Sequence, residues 1–232
     1  MHGPIERSPA HRLPVGCRRK GRCGEHRRRR RLSIRRTDKT LGKSERSQSH
    51  VVRKQGFFVD EHGLHAFCAE KELDGDIIIA YSDIVYEPKI LQTLVDCSAD
   101  RTTIVDSAWR ELWEKRMANP LDDAETMKID SSGHVLELGK KPTGYHEIQG
   151  QYIGLTKISA GAIDEMVRFY HGLDRSAFYD GKNFDNMFMT SFLQRMINHG
   201  MPIKAAMITG GWFDVDSSED LEYYSQMDFR IG

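Results

Sequence analysis

The stretch GDIIIAYSDIVYEP, residues 75–88, decides the fold of this chain. Four apolar residues, 77–80, are followed by a polar segment that contains one carboxylate, Asp83. A short run that is apolar on both faces is typical of a strand in a parallel sheet covered by helices. The sequence therefore predicts a buried strand with Asp83 at its carboxyl end.

Predicted helices and strands alternate on both sides of this strand. The predicted helices cover residues 63–74, 88–98, 108–118, 160–173, 184–200 and 218–227. The further predicted strands cover residues 101–107, 148–159, 202–209 and 211–217. The tripeptide Ser131-Ser132-Gly133 joins two short apolar segments and indicates a β-hairpin near residues 126–138. This order predicts an α/β domain with a doubly wound, mostly parallel sheet and a β-hairpin insertion.

Charge divides the chain into two parts, although the formal net charge is zero. Residues 1–54 hold 18 Lys and Arg against 4 Asp and Glu, whereas the remainder holds 16 and 30. Because the basic part lacks apolar periodicity, we predict a disordered arm over residues 1–56 and a globular α/β domain over residues 57–232. No aromatic residue interleaves the arginines of the arm, so nucleic-acid binding is not favoured as its function.

The spacing of the cysteines and the lengths of the apolar segments indicate which classes of protein can be excluded. The four cysteines form no Cys-x-x-Cys pair, so neither a zinc site nor a disulfide framework is predicted. Cys68 and Cys97 lie in apolar helical patterns, and we expect both thiols to be buried. No apolar run approaches the roughly 18 residues that span a membrane, and the basic N-terminus has no apolar signal segment. The sequence predicts a soluble, cytoplasmic protein without a membrane partner.

Three carboxylates are predicted to lie where strands end. Asp83 follows the first strand, and Asp214 and Asp216 lie two residues apart, and so on one face, in GGWFDVDSSEDL. In an open α/β sheet, ligands bind at this edge, and Mg²⁺ prefers oxygen ligands such as carboxylates. The alternative for each aspartate is a helix N-cap or a turn residue. The pattern alone leaves both interpretations open.

Four blocks of the chain carry a resemblance to a known family. They are DIIIAYSDIVY (76–86), WRELWEKRMANPLDDAETMKIDSSGHVLELGKKP (109–142), EIQGQYIGLTKIS (147–159) and GGWFDVDSSEDLEYY (210–224). Over residues 67–224 the chain resembles the nucleotidyltransferase family, which includes phosphocholine cytidylyltransferases, sugar-1-phosphate nucleotidylyltransferases and the cytidylyltransferases of phosphonate pathways. The resemblance implies a three-layer α/β/α, Rossmann-like fold of the nucleotide-diphospho-sugar transferase type.

The resemblance also implies a reaction and its site residues. The reaction is transfer of a cytidylyl group from CTP to a small phosphorylated or phosphonate acceptor, with release of pyrophosphate. Asp83 and Asp216 match the catalytic positions that bind Mg²⁺ in the family, and Asp214 matches a further metal contact. CTP is the favoured NTP, but the resemblance fixes neither the NTP nor the identity of the acceptor, and it does not imply an oligomeric state.

Five residues are candidates for substrate contacts. Glu147 is a candidate for the acceptor site, and its alternative is a solvated loop carboxylate. Tyr152 and Trp109, together with Trp113 and Tyr145, would line a site for a quaternary ammonium through cation–π contacts. The helical spacing of Trp109 and Trp113 favours the alternative that both belong to the core.

One feature of the family has no match in the sequence. The family opens with a strand and a Gly-rich loop, broadly G-x-G-x-R-x-x-P with a downstream Lys, and residues 1–60 contain no such motif. We therefore expect the first βαβ portion to be missing or replaced, and one hypothesis is that residues 1–65 are translated out of the ancestral frame. The alternatives to an active enzyme are a catalytically silent remnant or binding module of the same fold, and a nucleic-acid-associated protein led by the basic arm.

Overall fold

The computed structural model describes residues 33–37, 63–73, 75–215 and 218–225. Most of the basic arm, residues 1–56, lies outside the described residues, and so does Asp216. The predicted disorder of the arm and the hypothesis about its reading frame therefore stay predictions.

Helices and strands alternate through the described residues. The α-helices are α1 (Pro88–Asp96), α2 (Trp109–Arg116), α3 (Ala160–Gly172), α4 (Met189–Asn198) and α5 (Ser218–Ser225). The strands are β1 (Ser33–Thr37), β2 (Asp76–Ala80), β3 (Ile84–Tyr86), β4 (Arg101–Asp106), β5 (Met127–Ile129), β6 (Val135–Leu138), β7 (Gln151–Ile158), β8 (Phe178–Tyr179), β9 (Lys182–Asn183), β10 (Lys204–Ile208) and β11 (Trp212–Asp214). Short 3₁₀ helices cover Gly63–Glu72, Pro120–Asp122, Tyr145–Glu147 and Phe184–Asn186. No helix within these ranges is long and apolar enough to cross a membrane.

The central sheet has five strands in the order β1-β2-β7-β4-β10. Strands β4 and β10 are parallel, whereas β7 pairs antiparallel with both β2 and β4. The α/β prediction is confirmed, but the sheet is mixed rather than mostly parallel, because β7 runs in the opposite direction between β2 and β4. Strands β2, β4 and β10 still run in one direction, so their carboxyl ends lie at one edge of the sheet.

Strand β1 adds to the sheet from within the predicted arm. It pairs antiparallel with β2, from Ser33 opposite Ala80 to Thr37 opposite Asp76. The sequence predicts no strand there, because the arm shows no apolar alternation. The edge of a sheet, however, presents backbone N–H and C=O groups that a further strand can pair with through its own backbone.

Two hydrophobic clusters lie on opposite faces of the sheet. Along β2 the side chains alternate between them, with Ile77 and Ile79 in the first cluster and Ile78 and Ala80 in the second. Helices α3 and α4 complete the first cluster, and helices α1 and α2 complete the second. The layers of helices on both faces confirm the three-layer α/β/α architecture, and β2 is the strand buried on both faces that the sequence predicts.

The segment before β2 differs from the predicted amphipathic α-helix. It forms a 3₁₀ helix, Gly63–Glu72, in which Phe67 is buried and stacks on Tyr170 with 3.8 Å between the ring centroids. Cys68 is exposed and Cys97 is half-buried, so the prediction of two buried thiols is wrong for Cys68. The reason is that positions i and i+4, such as 64 and 68, share a face of an α-helix but lie about 120° apart in a 3₁₀ helix.

The predicted β-hairpin insertion is confirmed by the pairing of β5 with β6. Its turn is held by Asp130, whose carboxylate accepts the backbone N–H groups of His134 and Ser132 at 2.8 Å each. These hydrogen bonds lower the pKa of Asp130, chiefly through the His134 N–H. Gly133 takes a positive φ of 78° in this turn, a conformation that glycine adopts without strain.

Candidate active site

The carboxyl edge of the sheet brings Asp83 close to the segment that begins at Trp212. Strands β3 and β11 pair antiparallel beyond this edge, with Asp214 opposite Ile84. The backbone N–H of Val215 donates to the carbonyl of Asp83 at 2.9 Å. Backbone pairing therefore connects residues 83–86 to residues 212–215. Asp216 lies outside the described residues, so its predicted role as catalytic residue and metal ligand stays a prediction.

The carboxylate of Asp214 forms an ion pair with Arg116, the last residue of α2. The guanidinium nitrogen Nη1 lies 2.5 Å from Oδ1 of Asp214, and Nε donates to Asp220 in α5 at 3.1 Å. Burial of the guanidinium disfavours its charge, but Asp214 and Asp220 outweigh this effect and raise the pKa of Arg116. The predicted metal role of Asp214 therefore competes with an ion pair inside the protein.

Sequence reasoning missed Asp106, the last residue of β4. Its carboxylate is 1% exposed. It accepts the backbone N–H groups of Ala108 at 2.9 Å and Gly210 at 2.8 Å, and the indole N–H of Trp212 at 2.9 Å. These bonds tie the end of β4 to the start of α2 and to the segment that leads into β11. The available signal was an aspartate at the boundary between an apolar strand and a helix, where its side chain can accept backbone N–H groups.

Glu147 lies in a network of three donors. Its carboxylate accepts the backbone N–H of Thr143 at 2.7 Å, the Thr143 hydroxyl at 2.9 Å and the ammonium of Lys128 at 3.0 Å. The Thr143 N–H, followed by Lys128 and the Thr143 hydroxyl, lowers the pKa of Glu147 to about 2. These contacts fit the structural alternative for Glu147, and its role in acceptor binding stays a prediction.

Tyr152 lies beside the loop that carries Asp83. Its ring makes an edge contact with Tyr81 at 5.6 Å between centroids, and Tyr81 donates its backbone N–H to Gly154 in the same strand, β7. The Tyr152 hydroxyl accepts from Thr156 at 3.3 Å, and burial raises the pKa of the phenol. This position at the carboxyl edge is compatible with the predicted substrate contact.

Trp109 is a core residue. It is 4% exposed and packs against Trp113 and Tyr145, with centroids 5.8 and 6.2 Å away. The guanidinium of Arg110 lies 4.0 Å from the centroid of the Tyr145 ring, where a bound ammonium would be expected. This packing fits the core role that the helical spacing of Trp109 indicated, and its substrate contact stays a prediction.

The carboxylates of the described residues do not by themselves form a complete metal site. Within those ranges no group of three or more His, Cys, Asp and Glu side chains is arranged to hold a metal ion. The predicted set of Asp83, Asp214 and Asp216 includes one residue outside the described ranges. The magnesium prediction thus depends on Asp83 and on the segment beside it.

The sequence is similar to that of a characterised enzyme. It is 46% identical over 162 residues to the CTP:phosphoglutamine cytidylyltransferase of Campylobacter jejuni. The match covers 67% of this chain and 64% of that enzyme, so the chain spans less than two thirds of the length of its relative. No family model matches the chain.

Solved structures share the fold at low sequence identity. The inositol-1-phosphate CTP transferase from T. maritima has a TM-score of 0.50 and 13% identity, over 71% of this chain and 60% of that protein. A putative glucose-1-phosphate thymidylyltransferase from Bacillus anthracis has a TM-score of 0.50 and 12% identity, over 73% of this chain and 62% of that protein. The 46% identity to this cytidylyltransferase supports the resemblance to the nucleotidyltransferase family, and the solved structures show that the fold is shared.

Proposed function

We propose that this chain transfers a cytidylyl group from CTP to a small phosphorylated acceptor and releases pyrophosphate. The observation that carries the proposal is the 46% identity over 162 residues to an enzyme named for CTP and phosphoglutamine. Phosphoglutamine is therefore the first acceptor to test, and other phosphorylated or phosphonate compounds form the wider class.

The reaction is a substitution at phosphorus. An oxygen of the acceptor phosphate forms a bond to the α-phosphorus of CTP while the bond to the β-phosphate oxygen breaks, and pyrophosphate leaves. Negative charge increases on the α-phosphate oxygens, so the residues of the site act mainly by positioning the substrates and stabilising that charge. The carboxyl edge that carries Asp83 is where open α/β sheets bind their ligands.

The proposal includes one divalent cation, Mg²⁺, held by Asp83 and Asp216. Carboxylate oxygens suit this hard cation, and the hydrogen bond from Val215 to Asp83 keeps the two segments together. The bound cation supplies positive charge to the phosphates of CTP. Asp214 precedes Asp216 by two residues, and its ion pair with Arg116 lowers the net negative charge beside the proposed cation.

Product formation tests the proposal directly. The chain is incubated with CTP, MgCl₂ and phosphoglutamine, and both pyrophosphate and a product joining CMP to the acceptor are measured. Unphosphorylated glutamine and omission of the acceptor are the substrate controls. We expect release of pyrophosphate only with the phosphorylated acceptor. Absence of acceptor-dependent pyrophosphate contradicts the proposal for this chain.

The Asp83→Asn variant tests the assignment of the site. It keeps the volume of the side chain but removes its charge, and we expect it to abolish turnover while the protein stays folded. Asp96→Asn is the matched control, because Asp96 is an exposed aspartate at the end of α1. Normal turnover by Asp83→Asn moves the site away from Asp83.

A binding module of the same fold without turnover is the second candidate. The sequence favours it in one respect, since residues 1–60 contain no G-x-G-x-R-x-x-P motif. Calorimetry with CTP separates the two candidates, because it measures binding without catalysis. Binding of CTP without any product supports the second candidate, and acceptor-dependent product excludes it.

A further inference from the structure

We propose that Arg116 is a positioning residue, which holds the segment beside Asp83 in place by bridging strand β11 and helix α5. The evidence begins with the burial of its side chain, which is only 9% exposed. The two carboxylates that it binds are also mostly buried, with 22% of the Asp214 side chain and 12% of the Asp220 side chain exposed. A single guanidinium thus holds two acidic groups away from solvent.

The two partners of Arg116 lie on either side of residues 216 and 217. Asp214 is the last residue of β11, and Asp220 lies in the first turn of α5. The fork of N–H groups on a guanidinium can hold two carboxylates in fixed directions, which an ammonium does less well. Arg116 therefore connects the end of β11 to the first turn of α5.

The ion pair continues to Asp83 through the backbone. Asp214 pairs with Ile84 in the β3–β11 ladder, and the next residue, Val215, donates its N–H to the carbonyl of Asp83. A change in the position of Asp214 therefore shifts the backbone that holds the loop of Asp83. By this route Arg116 acts on the site through other residues and needs no contact with a substrate.

A second contact also attaches helix α5 to strand β11, so the attachment of this helix does not depend on Arg116 alone. Phe213 of β11 stacks on Tyr224 of α5, with 4.1 Å between centroids and 11° between ring planes. This apolar contact keeps α5 attached to β11 when Arg116 is replaced. Buried ion pairs often add little net stability compared with apolar residues of similar volume. Removing Arg116 alone leaves two mostly buried carboxylates without their cation and also lowers global stability, so exchange at Val215 is compared with exchange of amides far from β11.

Hydrogen exchange in the Arg116→Met variant tests the proposal without any turnover, so its outcome is independent of that of the proposed function. We expect the amide of Val215 to exchange at least about tenfold faster than in the parent chain, because two charge-assisted hydrogen bonds are lost. Arg116→Lys keeps the charge, and we expect its exchange rate at Val215 to lie between those of the parent chain and Arg116→Met. Arg110→Met is the matched control, since the ion pair of Arg110 with Glu114 on the same helix is about half exposed.

Kinetics and a milder variant complete the test. In an active protein, Arg116→Met should lower kcat/KM about 10- to 100-fold with partial rescue by Arg116→Lys, whereas Arg110→Met leaves it unchanged. If Arg116→Met fails to fold, Asp220→Ala removes the acceptor that Arg116 Nε binds in α5 and should raise exchange within residues 218–225. Exchange at Val215 within about twofold of the parent chain in a folded Arg116→Met variant overturns the proposal, as does unchanged exchange in α5 of Asp220→Ala.

Discussion

Replacing Asp106 with alanine should destabilise the protein strongly, because three donors converge on this one buried carboxylate. The donors are the backbone N–H groups of Ala108 and Gly210 and the indole N–H of Trp212. Trp212 is itself only 4% exposed, so water has little access to its indole N–H after the substitution. The variant therefore leaves one buried and two half-buried donors without their acceptor.

The magnitude follows from the balance of two effects. Each buried donor that loses its acceptor costs about 1–3 kcal/mol, whereas removal of a buried charge recovers part of its desolvation cost. Ala108 and Gly210 are both half-buried and their N–H groups have some access to water, so each costs less than the buried indole N–H of Trp212. We expect the free energy of unfolding to fall by about 3–5 kcal/mol in Asp106→Ala. Trp212→Phe removes one donor and leaves the carboxylate with two, so its loss should be smaller.

Urea unfolding followed by circular dichroism measures this loss. With a slope of about 2–3 kcal/mol per molar urea, the midpoint should move down by roughly 1–2 M. Asp96→Ala, at an exposed aspartate, should stay within about 0.5 kcal/mol of the parent chain. A loss below about 1 kcal/mol in Asp106→Ala would refute the reasoning, because it would mean that the three donors find other partners at little cost.

Three further predictions concern other residues of the carboxyl edge and its surroundings. The pKa of Glu147 is lowered to about 2 from an ordinary value of 4.5. The contribution of this carboxylate to stability is therefore present above pH 4.5 and is lost as the pH falls towards 2. Glu147→Gln should flatten the pH dependence of urea unfolding between these two pH values. Gly154→Ala should lower the free energy of unfolding by about 2–4 kcal/mol, since Gly154 has a φ of +80° and an added Cβ would lie 2.5 Å from the ring of Tyr81. MgCl₂ at about ten times a millimolar Kd should raise Tm by roughly 2–4 °C over NaCl of matched ionic strength, equivalent to about 1.4 kcal/mol. Asp83→Asn and Asp216→Asn should each remove this gain, and an unchanged shift in both variants would place the cation elsewhere.

Local patterns in the sequence predicted the elements better than their arrangement. The apolar run 77–80 predicted a strand buried on both faces, and the tripeptide at 131–133 predicted the hairpin turn. The direction of β7 could not be predicted in the same way. Whether a strand lies parallel or antiparallel to its neighbours depends on the order of strands in the sheet, and β7 returns between two strands that precede it in the chain.

Prediction of the candidate site from the sequence was limited in the same way. Asp83 was identifiable because it ends an apolar run, a signal contained within a few residues. Arg116 carries no such signal. Asp106 does end a strand, but neither residue's partners can be read from the sequence, since they lie about a hundred residues away, at separations of 98 for Arg116 with Asp214 and 106 for Asp106 with Trp212. In the sequence WEKR, Arg116 resembles any charged residue on a solvated helix face. Only the fold shows that it is buried.

The pairing of β3 with β11 has a consequence for the order in which the site is made. Asp83 and β3 lie in the first half of the chain, whereas β11 follows every other strand of the described residues. During synthesis, the loop of Asp83 therefore leaves the ribosome long before the strand that holds it exists. Contacts between such distant segments form late in folding, after the local ones. A growing chain thus carries only part of the candidate site until β11 has been made.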